Sequence, residues 1–200
     1  MKNLIALILI AFALQSTAQS EIPDVLTVIH SRKSVRQFTE QEVSRDKLEI
    51  LVRAGMAAPT AMNKQPWAFV AIDSREVLDL LSEELGNNPI LKRAPAAIVV
   101  CGDLNKAVPS VPDYWVQDCS AATQNILLAV EGIGLGAVWI GIFPRDERVE
   151  AVRKVTKLPE HLIPLNVIAI GYPTGAEQPK DKWKPENMFW NVWEEKIKEQ

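Results

Sequence analysis

The chain has 200 residues, 48% hydrophobic and 24% charged, with 13 Pro, 9 Gly, 2 Cys and 2 His. This is the make-up of one globular domain, not of a disordered, collagenous or disulfide-stapled chain. A net charge of −3 argues against a nucleic-acid partner, because neutralising phosphates needs a basic excess; His30 and His161 lie far apart and Cys101 and Cys119 lack C-x-x-C spacing, so no metal site or paired redox thiol is indicated.

At the amino end, Met1-Lys2-Asn3 precedes an unbroken apolar run, Leu4 to Leu14, and a small-residue exit at Ala18. This is the layout of a secretory signal peptide. The run is shorter than the roughly 20 residues that span a membrane, and an uncleaved anchor is the alternative to cleavage. Cleavage after Ala18 takes away the charge of Lys2 and shifts the net charge from −3 to −4. A single domain over residues 19–200 is then expected in the periplasm, with no stable membrane association.

A first helix is expected over Ile22 to His30, where Val25, Val28 and Ile29 recur at helical spacing after Pro23 and Asp24. A second, capped by Ser44, runs from about Arg45 to Ala57 with Leu48, Leu51, Val52 and Gly55 on one face. Ala58 to Pro66 carries two prolines and little periodicity, which reads as a loop. Strands are expected over Trp67–Ile72, Ala96–Cys101, Gly136–Ile142 and Leu165–Ile170, and helices over Arg75–Leu85, Tyr114–Glu131 and Arg145–Lys157. The Tyr114–Glu131 helix is apolar nearly all round and is expected to be buried. Cys101 ends an apolar run and Cys119 falls in this helix, so two buried free thiols are expected, a disulfide being the alternative. The tail beyond Tyr172 has no evident internal partner, yet three of the six tryptophans, Trp183, Trp190 and Trp193, lie beyond Pro179 near the carboxyl end. Rings of that size need a surface to pack on, and a second subunit is the natural one.

Few constellations carry chemistry. Gly132-Ile133-Gly134-Leu135-Gly136-Ala137 fits a dinucleotide-binding string, but the order is helix, glycines, strand, which reads as a helix stop and tight turn. Arg32-Lys33-Ser34-Val35-Arg36 packs three cations and a hydroxyl into one short stretch. It reads either as a solvated face or as a phosphate-monoester site, which wants this donor set. Lys182 and Lys184 alternate so that both can point one way in an extended tail. Thr60, Asn63 and Gln65 make the Pro59–Pro66 loop either a hydrophilic connector or a grip on a planar polar ligand. No G-x-S-x-G elbow occurs, and the acidic pairs Glu83-Glu84 and Glu194-Glu195 read as solvated helix faces. No catalytic side chain is therefore singled out.

Four strings in one order, R-K-S-V-R-x-F from Arg32, A-P-T-A-M-N-K-Q-P-W from Ala58, G-I-G-L-G-A-V-W-I-G from Gly132 and A-I-G-Y-P from Ala169, resemble the FMN-dependent nitroreductase family. The resemblance covers nearly the whole chain beyond the signal segment. It implies an α+β fold, a three-layer sandwich with a central mixed sheet flanked by helices, in a homodimer with a swapped C-terminal arm of about residues 173–200. It assigns Arg32, Lys33, Ser34 and Arg36, completed by Lys182 and Lys184, to the FMN phosphate, ribityl chain and ring edge. Pro59, Thr60, Ala61, Asn63 and Gln65 match the loop that reaches the flavin from the other subunit, and Trp139, Ile140 and Gly141 the segment along the isoalloxazine. The implied activity is NADH- or NADPH-driven ping-pong reduction of a nitroaromatic, quinone or similar small-molecule acceptor, with the chemistry at FMN N5. A flavin-binding module without turnover and a reductive dehalogenase with Asn105–Tyr114 as lid are the alternatives. Two departures from many relatives are Lys rather than Arg at position 184 and the signal peptide.

Overall fold

The structure, a computed structural model, describes residues 24–193; the expected signal peptide, the first two residues of the first helix and Glu194-Glu195 lie outside the described residues. In chain order the elements are α1 (Val25–Ser31), α2 (Arg45–Met56), a 3₁₀ turn (Ala61–Asn63), β1 (Trp67–Ile72), α3 (Arg75–Glu84), α4 (Pro89–Arg93), β2 (Ala96–Asp103), α5 (Tyr114–Gly132), β3 (Gly136–Gly141), α6 (Asp146–Thr156), β4 (Leu162–Gly171) and a 3₁₀ turn (Pro185–Asn187). The expected strands and long helices are all present. The Ser44 hydroxyl caps α2 by accepting from Lys47 N–H. Among the described α-helices, α4 has no sequence counterpart, and neither do the two 3₁₀ turns; α4 is too short to show a period, and its start rests on Asn88, whose side chain accepts from the Ile90 and Leu91 N–H groups.

The four strands form one sheet in the order β1-β2-β4-β3. Every strand pair is antiparallel; the mixed character expected of the sheet is confined to one parallel bridge, Ser34 to Ala137. Strand alternation sorts the core into two layers. On β2, Ala96, Ile98 and Val100 meet Leu48 and Leu51 of α2 and Cys119 and Ile126 of α5, while Ala97, Val99 and Cys101 meet Leu78 and Leu81 of α3, Leu91 of α4 and Val149 and Val152 of α6. Helices therefore cover both faces, which makes three layers. Cys101 and Cys119 are buried free thiols facing different layers, so they do not pair.

α5 is not buried all round within this chain. Trp115, Cys119, Ala122, Ile126 and Val130 face the sheet, but Gln117 and Gln124 are exposed and Ala121 and Leu128 only half-buried, on one open face. Gly132, Gly134 and Gly136 act as expected from their order: Gly132 ends α5, Gly134 takes the turn at φ +75°, and Gly136 opens β3. Gly136 has a second duty. A Cβ there would sit 2.8 Å from Val35, so its absence lets the Ser34–Val35 strand lie against β3.

The start of the tail does have an internal partner. Thr39 N–H donates to the Tyr172 carbonyl at 2.9 Å, and Phe38 bridges Pro173 antiparallel. Beyond it Trp183, Trp190 and Trp193 are 67%, 78% and 78% exposed, with Trp193 stacked on Phe189 at 3.9 Å. Among the described residues no helix is long and apolar enough to cross a membrane.

Candidate functional site

The basic segment is held in place before any ligand is considered. Val35 N–H donates to the Ala137 carbonyl at 2.9 Å, fixing the strand on the edge of β3. Lys33 reaches Glu131 on α5 at 3.2 Å in a half-buried ion pair. Lys33 is thus neutralised within the fold, and it lies on the same surface hollow as Arg32, Ser34 and Arg36. With Gln178, Lys180 and Lys182 from the tail they line a cleft of about 360 Å³ whose one acid is Glu177. Arg32, Arg36, Lys180 and Lys182 form no ion pair among the described residues. Four cations without counter-ions around a hollow are the donor set that could balance a dianion, and guanidinium groups suit phosphate oxygens in particular.

The tail contributes differently from the expected pair. Lys182 lines the cleft, but its neighbour there is Lys180; Lys184 begins the 3₁₀ turn at Pro185 instead. The same two-residue alternation that pointed to Lys182 and Lys184 includes Lys180, so the signal was present one step earlier in the chain. Glu177 and Gln178 carried no such signal. A wider hollow of about 670 Å³ continues from the cleft along Ile29, His30, Gln124 and Trp183.

The polar loop is built on another principle. Met62, Asn63 and Gln65 all take left-handed backbone, with φ of 50°, 54° and 50°, a conformation that costs a non-glycine residue roughly 1–2 kcal/mol. Hydrogen bonds hold it there. Inside the loop, Gln65 N–H donates to Thr60 Oγ1 at 3.0 Å and Gln65 Nε2 to Asn63 Oδ1 at 3.0 Å. From outside, Asp118 of α5 accepts from Ala61 N–H at 2.8 Å, and the Cys119 thiol shares its one proton between the Cys101 carbonyl at 3.4 Å and the Pro66 carbonyl at 3.6 Å. One turn of α5 therefore anchors both ends of the loop. Asp118 is buried, and its Oδ2 has no hydrogen-bond partner among the described residues; in the sequence it is one acid in an apolar helix and carries no signal. Pro59, Thr60 and Ala61 face a hollow of about 520 Å³ with Tyr114, Gln117 and Ala121. Tyr114, at the end of the expected lid, is thus beside this loop, whereas Ala107 and Val108 of the same segment are buried.

The two assemblies sit at opposite ends of α5. The loop meets it at Asp118 and the basic segment at Glu131, a separation of about 20 Å at 1.5 Å per residue. Between them on the sheet edge, Trp139 lies opposite Ile168, on the α5 face, and is 37% exposed, while Ile140 is buried in the other layer. Ile140 can meet a ligand on the α5 side only through its backbone. Gly141 is exposed, and its carbonyl accepts from Arg148 at 2.8 Å.

The chain as a whole has relatives of known sequence and structure. The profile described as the nitroreductase family matches residues 29–85 and 78–172. A curated relative from Methanothermobacter thermautotrophicus, provisionally named an NADH dehydrogenase/NAD(P)H nitroreductase, is 39% identical over 170 residues, covering 85% of this chain and 88% of its own. A crystal structure under the same provisional name from Parabacteroides distasonis superposes with a TM-score of 0.79 at 45% identity, covering 84% of this chain and 98% of that one. One from Desulfovibrio desulfuricans, a provisional nitroreductase in complex with FMN, gives a TM-score of 0.72 at 28% identity over 86% of this chain and 99% of that one.

Proposed function

Since the chain belongs to the nitroreductase family, we propose that it is an FMN-dependent oxidoreductase driven by NADH or NADPH. The observation that carries this reading is the cleft in which both ends of the chain turn unpaired cations toward one hollow. Arg32, Arg36, Lys180 and Lys182 would take the phosphate with the Ser34 hydroxyl as a further donor, while Lys33 seats the strand through Glu131. The chemistry FMN supplies when bound is hydride transfer, by turns from NAD(P)H and to an electron-poor acceptor such as a nitroaromatic or quinone. The protein's own part is to bind, orient and shield. Trp139 and Gly141, exposed on an edge strand, offer an aromatic face and approachable backbone for the ring.

The polar loop supplies its groups to a second copy's flavin in this reading, since about 20 Å of α5 separates it from its own basic cleft. The open face of α5 at Gln117, Ala121, Gln124 and Leu128 is where two copies would meet. The arm with Trp183, Trp190 and Trp193 would cross to the partner, and the groove of about 540 Å³ between α2 and edge strand β1, with Val52, Met56 and Phe69, is suited to receive it. The layout of residues 1–18 supports export to the periplasm, which N-terminal sequencing of the protein recovered from the periplasmic fraction tests.

An absorbance spectrum of the purified protein before and after NADH or NADPH tests the activity. Flavin bands that bleach with nicotinamide and return on adding a nitroaromatic or quinone are expected. Colourless protein that gains no thermal stability from FMN would overturn the reading, and bands that never bleach would leave a flavin-binding module. Truncation before Trp183 tests the arm: the shortened chain should lose both dimer and flavin.

A further inference from the structure

The cleft's single acid is its least expected member, because a carboxylate beside a phosphate is repulsive. Its geometry explains its presence. Glu177 Oε1 accepts from Arg36 N–H at 2.7 Å and from Gln37 N–H at 3.2 Å, while Oε2 is buried without a hydrogen-bond partner among the described residues. None of the surrounding cations lies in ion-pair contact with it among the described residues. The side chain is spent on backbone, not on neutralising charge. Two backbone N–H groups converging on one carboxylate oxygen make charge-assisted bonds.

The chain path shows what those bonds join. The tail leaves the sheet at Tyr172, pairs with residues 37–39, and turns at Gly175, φ +88°. Glu177 then fastens it again at Arg36, just before Lys180 and Lys182. Like charges on the two segments push them apart when the cleft is empty.

We propose that Glu177 is a positioning residue that clasps the tail carrying Lys180 and Lys182 onto the strand carrying Arg32 and Arg36, so the anion-binding set is assembled before its ligand arrives. The proposal rests on the reading of the cleft as a phosphate-ester site. It predicts opposite signs for two substitutions that both remove the negative charge. Glu177→Gln keeps an oxygen for the two N–H groups, whereas Glu177→Ala keeps none. Simple electrostatics makes both variants bind anions more tightly.

The experiment titrates inorganic phosphate and FMN into the full chain, stripped of flavin, and follows amide hydrogen exchange over residues 34–39. E177Q is expected to bind both probes at least as tightly as the wild type, with the Arg36 and Gln37 amides still protected. E177A should bind both about tenfold more weakly, the scale of a lost hydrogen bond to a charged group, with those amides exchanging freely. Riboflavin, lacking the phosphate, should bind E177A and wild type alike, which separates the clasp from general destabilisation. Tighter phosphate binding by E177A, or equal loss in both variants, would overturn the clasp while leaving the cleft's ligand intact. A wild-type chain that binds neither probe would overturn both.

Discussion

The two candidate binding elements at the ends of α5 are built in opposite ways. At Glu131 the basic cleft is charged and open, assembled from segments far apart in the chain and fastened by Glu177. At Asp118 the polar loop carries a single cation, Lys64, is local, holds three non-glycine residues in left-handed backbone, and is fastened by a carboxylate and a thiol. In both, an acid takes backbone N–H with one oxygen, two groups at Glu177 and one at Asp118, and leaves the other oxygen buried and unpartnered among the described residues. The difference is in what each end must hold constant: the cleft has to keep mutually repelling cations together, and the loop has to keep a strained shape. An acid is a clasp in the first and a template in the second.

The largest effect comes from emptying the charged end. Arg32→Ala combined with Arg36→Ala removes two charge-assisted contacts worth about 1.5–3 kcal/mol each, so FMN affinity should fall roughly a hundredfold or more. Riboflavin affinity, measured in parallel, should scarcely change. An equal loss for both flavins would mean the arginines support the fold, and the contrast between a charged end and a shaped end would collapse.

A smaller effect is expected at the loop. Asp118→Ala strips the acceptor from Ala61 N–H and should destabilise by about 1–3 kcal/mol in urea unfolding. Asp118→Asn keeps an oxygen toward Ala61, and its amide nitrogen replaces an Oδ2 that has no partner to lose, so it should stay within about 1 kcal/mol of the wild type. If the asparagine variant is as damaged as the alanine one, the charge of Asp118 matters beyond its role as acceptor, and the template account is wrong.

These two ends differed as much in how far they could be read from sequence. Arg32, Ser34, Arg36 and Lys182 declare themselves by residue type, and the structure gathers them. The strand periods, the Ser44 cap and the glycine turn before β3 are likewise local, and β1 spans the residues expected of it. What could not be read depends on distant partners. Glu177 is an ordinary tail acid until folding brings it to Arg36, 141 residues earlier. The left-handed Met62 and Gln65 lack glycine's signature, because Asp118 and Cys119 impose the shape from another element. The α5 pattern predicted burial on every side, but periodicity says only that a face is apolar, not whether its own chain or a second copy covers it.

Alkaline pH gives the smallest and most selective perturbation, because it acts on two buried thiols, of which Cys119 adjoins the loop. Burial pushes the Cys101 thiol up to about 12, with Arg153 opposing weakly, and burial also raises Cys119, helped by the nearby Cys101 and Asp118. The folded chain therefore favours the protonated thiols. The stability this confers is intact below the ordinary thiol value of 9.0 and declines as pH rises from there toward about 12. At pH 9 the loss is about 0.4 kcal/mol per thiol, measurable as a shift in urea midpoint between pH 7 and pH 9. Cys119→Ser retains a hydroxyl donor for the Pro66 carbonyl and no longer ionises, so the variant should show about half the pH sensitivity of the wild type. Neither thiol should react with a thiol reagent at pH 8 before unfolding. Labelling of native protein at the rate of a free cysteine would show that the α5 turn opens readily, and a loop anchored to such a turn could not serve as a rigid template.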